Sequence, residues 1–197
     1  MKTLSNLPKG IERLTTGVDD INGTATNDTI NALTVNSVTG ADASTFTAFD
    51  DIDGGAGKDT LNIYTAFDGA DVEADGDTAD QNAAFPASAS VKNVEIVNVL
   101  NSELAVEAFA NAAKFTGVEQ LWQVNAAAGV TNLKATTTAG FRDIAAGTLS
   151  VAAAATAASA TVALDNVDDA SSLSVEGEAL NSVTVAGAVN RPGFPGG

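Results

Sequence analysis

The run Gly54-Gly55-Ala56-Gly57-Lys58-Asp59-Thr60-Leu61-Asn62 constrains this chain more than any other. It satisfies every defined position of the nonapeptide pattern G-G-x-G-x-D-x-U-x, in which U is a large apolar residue. Each position has a physical task. The glycines allow a tight turn whose carbonyls face inward. The aspartate brings a hard carboxylate oxygen, the donor that Ca2+ prefers. The apolar residue starts a short strand and sends its side chain into the core.

The run has a gapless internal copy. Residues 19–31 (Asp-Asp-Ile-Asn-Gly-Thr-Ala-Thr-Asn-Asp-Thr-Ile-Asn) align on residues 50–62 (Asp-Asp-Ile-Asp-Gly-Gly-Ala-Gly-Lys-Asp-Thr-Leu-Asn). Such self-similarity points to stacked units. Each block reads as a full nonapeptide preceded by a degenerate one, giving units 14–22, 23–31, 45–53 and 54–62, with 32–44 looped out. Asp19, Asp28, Asp50 and Asp59 then hold the sixth position of the four units.

Composition agrees with thin, stacked layers. Apolar residues are 45% of the chain but aromatics only 5%, and much of the apolar share is alanine, which buries little area. The formal charge is −16, from 25 acidic and 9 basic residues. That balance argues against nucleic acid and anionic membrane as partners. It also makes bound cations a natural relief for a compact fold. Cysteine and histidine are absent, so disulfides, thiolate metal sites and the commonest general base are excluded. With only Arg13, Arg142 and Arg191 as arginines, no base and substrate clamp stand out, and an enzyme is not expected. A glycosidase needs a carboxylate pair, and no spacing singles one out.

Residues 1–10 lack the apolar stretch of a secretory leader, and no run approaches a membrane span. Resting cytosol holds too little Ca2+ for weak sites of this type, so export without a cleaved N-terminal signal is expected.

Along the chain, residues 1–13 read as a lead-in, 14–64 as the roll, 65–90 as an acidic loop, 91–190 as a continuation of the solenoid and 191–197 as a flexible tail. Within the loop, Asp71, Glu73, Asp75 and Gly76 match the opening of an EF-hand, but Asn82 stands where its closing glutamate belongs. Val91–Val99 reads as an alternating strand. Residues 102–114 read as a short helix with Ser102 as N-cap, Lys114 in the last turn, and Leu104, Ala108 and Phe109 on its buried face. Val118-Glu119 repeats the style of Val94-Glu95. Beyond residue 130, the triplets Leu133-Lys134-Ala135, Leu149-Ser150-Val151, Val162-Ala163-Leu164, Leu173-Ser174-Val175 and Val183-Thr184-Val185 form a ladder of short strands, as in a parallel β-helix or a compact sandwich. The N-terminal repeats favour the parallel form. The expected fold is therefore all-β, a parallel β-solenoid with one short helix near 102–114.

The order and spacing of residues 14–30, 54–62 and 91–99 closely resemble the RTX-like region of bacterial surface-layer proteins exported by type I secretion. The resemblance covers roughly residues 14–101. It implies a calcium-stabilised, right-handed β-solenoid that assembles into a lattice on the cell surface, with a C-terminal secretion signal that stays on. This chain is far shorter than such lattice proteins, and its C-terminus does not look like that signal.

In rolls of this kind an ion sits between turns two units apart. The implied sites are Asp28 with Asp59, joined by carbonyls of Gly23, Ala25, Gly54 and Ala56, and Asp19 with Asp50 on the opposite edge. Ordinary Asn/Asp/Gly turns explain one such corner equally well, but not the gapless repeat. Asp20, Asp51 and Asp53 are expected to face outward or to sit behind the residues that hold the ion. Asp165, Asp168, Asp169 and Glu176 read as solvated edge charge. The sequons at Asn22 and Asn27 read as turn chemistry. Tyr64, Trp122 and Phe49 read as core or cap residues.

The expected function is an extracellular, calcium-dependent structural module that self-assembles into a lattice or filament. The alternative is a calcium-stabilised adhesin or glycan-binding module that grips cell-surface polysaccharide.

Overall fold

A computed structural model describes residues 2–3, 11–34, 38–39, 43–65, 85–100 and 110–190. They form sixteen strands: β1 (Lys2–Thr3), β2 (Ile11–Arg13), β3 (Asp19–Asn22), β4 (Thr29–Ala32), β5 (Asp51–Asp53), β6 (Thr60–Tyr64), β7 (Ser90–Lys92), β8 (Ile96–Leu100), β9 (Phe115–Thr116), β10 (Gln120–Val124), β11 (Val130–Leu133), β12 (Thr138–Ile144), β13 (Thr148–Ala153), β14 (Ser159–Asp168), β15 (Ser172–Glu176) and β16 (Ser182–Asn190).

Every pairing is parallel, and each strand pairs with the strand two places before or after it. One sheet runs β1-β3-β5-β7-β9, a second β2-β4-β6-β8-β10-β12-β14-β16, and a third β11-β13-β15. Successive described strands therefore alternate between the long sheet and one of the other two through to β16. Parallel strands need a crossover between them, and here the crossover is a strand of the facing sheet. The 31-residue offset of the internal repeat becomes the register of the stack: Ile30 pairs with Leu61 and Ile21 with Ile52.

The sequence alternation sends every second residue inward. The inward residues stack in columns. In the long sheet one column runs Ile30, Leu61, Val97, Leu121, Ala139, Val162. In the first sheet Ile21, Ile52, Val91 and Phe115 stack likewise. All ten are buried, and this is the core. Gln123 also points inward, in line with Val99 and Phe141. Its Nε2 donates to the Gly129 carbonyl at 2.7 Å, which makes a polar group tolerable there.

In the long sheet β6 pairs directly with β8, so the segments before and after residue 91 share one ladder. The lead-in supplies β1 and β2. The helix expected over 102–114 is not formed where it is described. Asn111 caps a single 3-10 turn, Ala112–Lys114, by accepting from the Ala113 N–H, and β9 follows at once. Ser102, Leu104, Ala108 and Phe109 lie outside the described residues, as do Asp71, Glu73, Asp75 and the tail 191–197.

Two further differences concern the ladder after residue 130. Its triplets divide between two sheets, Leu149 pairing with Leu173 and Val162 with Val185. The strand β12 lies between them with little apolar alternation of its own. It pairs in register with β10 and β14, and Arg142 stacks over Trp122 at 4.3 Å.

Candidate metal centre

The four sixth-position aspartates end the turns that lead into β3, β4, β5 and β6. All four are buried. Strand pairing brings Asp28 beside Asp59 at the edge of the long sheet and Asp19 beside Asp50 at the edge of the first, as the repeat implies. Each pair is joined in the same way. The Asp28 N–H donates to Asp59 Oδ1 at 2.7 Å, and the Asp19 N–H donates to Asp50 Oδ1 at 2.9 Å. A carboxylate is a strong acceptor for a backbone N–H, so each aspartate pins the turn before it in the stack.

The pairs differ in what else satisfies them. Asp19 accepts from the Thr15 N–H at 2.7 Å and the Thr15 hydroxyl at 2.9 Å. Asp50 accepts from the Thr47 N–H at 2.7 Å and the Thr47 hydroxyl at 3.1 Å. Both carboxylates of this pair therefore have both oxygens hydrogen-bonded. Asp28 is held similarly, its Oδ2 accepting from the Thr24 N–H at 2.6 Å and hydroxyl at 2.8 Å. In the next turn Gly55 replaces Thr24. It has no hydroxyl, and its N–H turns to Asp53 instead at 3.0 Å. Asp59 Oδ2 is left buried with no hydrogen-bond partner.

The glycines serve the stacking directly. A Cβ at Gly23 would overlap the Gly54 carbonyl, and a Cβ at Gly54 would lie 2.8 Å from Asp59 Oδ2. Gly55 has φ +91°, a left-handed geometry that glycine adopts without strain. The Ala56 N–H donates to the Thr24 carbonyl at 3.1 Å, so Ala25 and Ala56 also lie in facing turns.

Glu95 is the residue that motif reading missed. Its Oε2 accepts from the Asp59 N–H at 2.8 Å, extending the column to Asp28, Asp59, Glu95. The signal was in the register: Val94-Glu95-Ile96 stacks on Lys58-Asp59-Thr60, because Ile96 pairs with Thr60. Burial pushes the Asp59 carboxyl above its ordinary value, and the Glu95, Asp28 and Asp53 carboxylates add to the rise against the opposing Asp28 N–H. Glu12, at the head of the Ile30 column, has its carboxyl raised first by burial and then by Asp28. Its Oε2 is buried and without a hydrogen-bond partner.

The donor set can be tested against Ca2+. Among the described residues no three His, Cys, Asp or Glu side chains converge as a metal site, so an ion at this corner would have to rest on two carboxylates and on backbone carbonyls. That is hard-oxygen chemistry, and Asp59 Oδ2 is free to enter it. The Asp28/Asp59 corner fits an ion; the Asp19/Asp50 corner is a self-satisfied pair of threonine-capped turns.

Among the described acids, Asp20, Asp51 and Asp53 flank the inward Ile21 and Ile52, and Asp51 Oδ1 is itself buried without a hydrogen-bond partner. Lys92 Nζ lies 3.7 Å from Asp51 and 3.5 Å from Asp53, and Asp20 accepts from the Asn22 amide at 2.9 Å. Asp53 is held below its ordinary value, chiefly by the Asn93 amide. Asn27 accepts from the Lys58 N–H at 2.9 Å, a bond between turns. Asp165 pairs with Arg142 at 2.8 Å, while Asp169 and Glu176 are exposed. Trp122 is buried, Tyr64 half-buried and Phe49 exposed.

No protein-family model, curated protein or solved structure matches this chain.

Proposed function

We propose that this chain is a right-handed parallel β-solenoid that acts outside the cell as a calcium-dependent structural and self-assembly module of a bacterial surface layer or matrix filament. The observation that carries this reading is the buried, unpartnered Asp59 Oδ2 beside Asp28. An uncompensated buried carboxylate is costly, and a divalent cation at that corner removes the cost. The alternation of parallel strands between sheets supports a coil, and crossovers between parallel strands of one sheet are right-handed in almost all proteins.

In this reading Asp28 and Asp59 hold the ion with carbonyls of Gly23, Ala25, Gly54 and Ala56. The ion supplies charge neutralisation between turns. The protein's own part is to present the corner only when β4 and β6 are paired, so binding and folding are one equilibrium. At a net charge of −16, the fold without the ion is weakened by its own repulsion. A chain so weakened passes an export channel unfolded more readily and is stabilised where Ca2+ is abundant.

The test is to titrate Ca2+ into EDTA-treated protein while following circular dichroism and light scattering, with Mg2+ as a control. Folding that tracks Ca2+, with assembly following it, supports the proposal. Structure and assembly indifferent to Ca2+ overturn it. The adhesin or glycan-binding alternative has the exposed ring of Phe49 in its favour; polysaccharide binding by a folded monomer would establish that reading instead.

A further inference from the structure

The turn between β7 and β8 is a shortened copy of the turn between β5 and β6. Asp53 pairs with Lys92 and Thr60 with Ile96. Gly54 to Asp59 join the first members of these pairs, and only Asn93, Val94 and Glu95 join the second. Asn93 thus takes the place of Gly54, in a left-handed geometry at φ +52° that asparagine tolerates better than most residues. Glu95 takes the place of Asp59. Its Oε2 accepts from the Asp59 N–H at 2.8 Å, as Asp59 Oδ1 accepts from the Asp28 N–H at 2.7 Å. A glutamate has one methylene more than an aspartate, which suits a turn with less backbone.

The open oxygen of Asp59 lies toward this shorter turn. A Cβ at Gly54 would overlap the Asn93 carbonyl oxygen and lie 2.8 Å from Asp59 Oδ2, so the two oxygens face the same side of Gly54. One turn earlier the Gly54 carbonyl and Asp28 Oδ2 face Gly23 in the same manner. That place is closed, because Thr24 donates twice to Asp28 Oδ2. Asp59 is 0% exposed and its Oδ2 has no hydrogen-bond partner. Burial is the largest reason that its carboxyl is raised, and among the neighbouring charges Glu95 outweighs Asp28. A buried carboxylate beside a second one calls for a counter-charge, and carboxylate and carbonyl oxygens are the donors that Ca2+ takes.

We propose a cation position between Asp59 and Glu95, one step along the column from the Asp28/Asp59 corner, to which the Asn93 carbonyl also contributes. The inference deepens the calcium reading and rests on it. It makes Glu95 a ligand as well as a turn cap, and it lets one ion tie the repeated turns to the strands that follow them. Asp53 stays out of the position, since its Oδ1 already accepts from the Gly55 N–H at 3.0 Å and the Asn93 amide at 2.8 Å.

Calorimetric titration of Ca2+ into the full chain, with circular dichroism on the same samples, tests this through Glu95→Gln, Asp28→Asn and Asp53→Asn. The glutamine oxygen can still accept from the Asp59 N–H, so the cap survives and only the charge is lost. Glu95→Gln is expected to weaken Ca2+ binding by roughly tenfold or more. Asp53→Asn removes an equal charge nearby and should change it by about threefold or less. Glu95→Gln that binds Ca2+ as wild type does overturns the position and leaves Asp28 with Asp59 as the site. Equal losses in Glu95→Gln and Asp53→Asn also overturn it, since the effect is then one of general charge. A loss in Glu95→Gln with none in Asp28→Asn supports the position and removes Asp28 from the calcium reading. Should Glu95→Gln lose its fold, Glu95→Asp keeps the charge and shortens the reach: weaker binding supports the position, and unchanged binding overturns it. Wild type that binds no Ca2+ overturns the calcium reading and this position together.

Discussion

Thr24 and Gly55 occupy the same place in successive turns of the long-sheet edge, and only Thr24 closes its turn onto an aspartate. Its N–H and hydroxyl both reach Asp28 Oδ2, while the Gly55 N–H leaves Asp59 for Asp53. One turn is self-sufficient and the next is incomplete. Replacing Thr24 with valine keeps the shape of the side chain and removes the hydroxyl donor. A hydrogen bond to a charged acceptor contributes about 1.5–3 kcal/mol, so urea unfolding in EDTA should show a loss of that order. An unchanged midpoint would mean that the hydroxyl does not cap Asp28.

Asp59→Asn separates the metal reading from a purely structural one. The amide oxygen can still accept from the Asp28 N–H, while the unpaired buried charge is gone. Without Ca2+ the variant should therefore be at least as stable as wild type. With Ca2+ it should lose most of the gain that the ion gives wild type. That gain reaches about 2.7 kcal/mol when free ion is 100 times the dissociation constant. Asp169→Asn, exposed and far along the chain, should leave the gain from Ca2+ unchanged. Thermal melts of the three proteins with and without the ion decide the matter, and a full calcium response in Asp59→Asn would remove this aspartate from the site.

What the sequence made legible was the part where repetition encodes register. The equal offset of Asp19 to Asp50 and Asp28 to Asp59 forecasts which strands pair, and the large apolar residue after each aspartate forecasts Ile21, Ile30, Ile52 and Leu61 in the core. Legibility fell where neighbours decide. β12 contains Gly140, whose outer face lies under the Trp122 ring, so its pattern records a fit to another strand and not an alternation. Glu95 escaped notice because a glutamate stands where the template has aspartate, and only the pairing of Ile96 with Thr60 reveals its place. The helical spacing of 102–114 competes with the stack at its C-terminal end, where Asn111 bridges to Thr131 and leaves one 3-10 turn. Three of the carboxylates legible as ligands also proved to be turn caps, a role that depends on Thr15, Thr24 and Thr47, at places the template gives to glycine or leaves open.

Stability should depend on pH in a direction set by Glu12, Asp50 and Asp59. Each is raised above its ordinary value of 4.5, 3.8 and 3.8 respectively, with burial the largest cause. A raised carboxyl takes up its proton more readily in the folded state than in the unfolded one. Its contribution to stability is fully present below the unfolded value and is lost as pH rises through the folded one. In EDTA the melting temperature should therefore rise as pH falls from neutral toward the ordinary carboxylate range. Asp53 works the other way: its lowered carboxyl favours the fold above its unfolded value and loses that effect as pH falls through the folded one. The optimum accordingly lies on the mildly acidic side. Ca2+ should flatten the dependence that comes from Asp59 and leave that of Glu12. A melting temperature that falls steadily from neutral pH downward would contradict the assignment of these three groups.

The outward face of the long sheet carries its own ladder, and Asn62 is its middle member. Its amide donates to Asn31 at 3.0 Å and its carbonyl accepts from Asn98 at 2.8 Å. Stacked amides polarise one another along the row, and the strands they join are the two flanking β6. Asn62→Ala removes both bonds while leaving the inward neighbours Leu61 and Ile63 in place. At about 0.5–1.5 kcal/mol for each neutral hydrogen bond, the loss should be about 1–3 kcal/mol by urea unfolding. Asn62→Asp keeps an acceptor for Asn98 and loses the donor to Asn31, so its cost at neutral pH should match or exceed that of alanine, because a half-buried charge is added to an already acidic chain. Hydrogen exchange locates the effect: faster exchange confined to β4, β6 and β8 fits a ladder that ties those strands together, and a loss spread evenly over all sixteen would show that Asn62 acts on the fold as a whole.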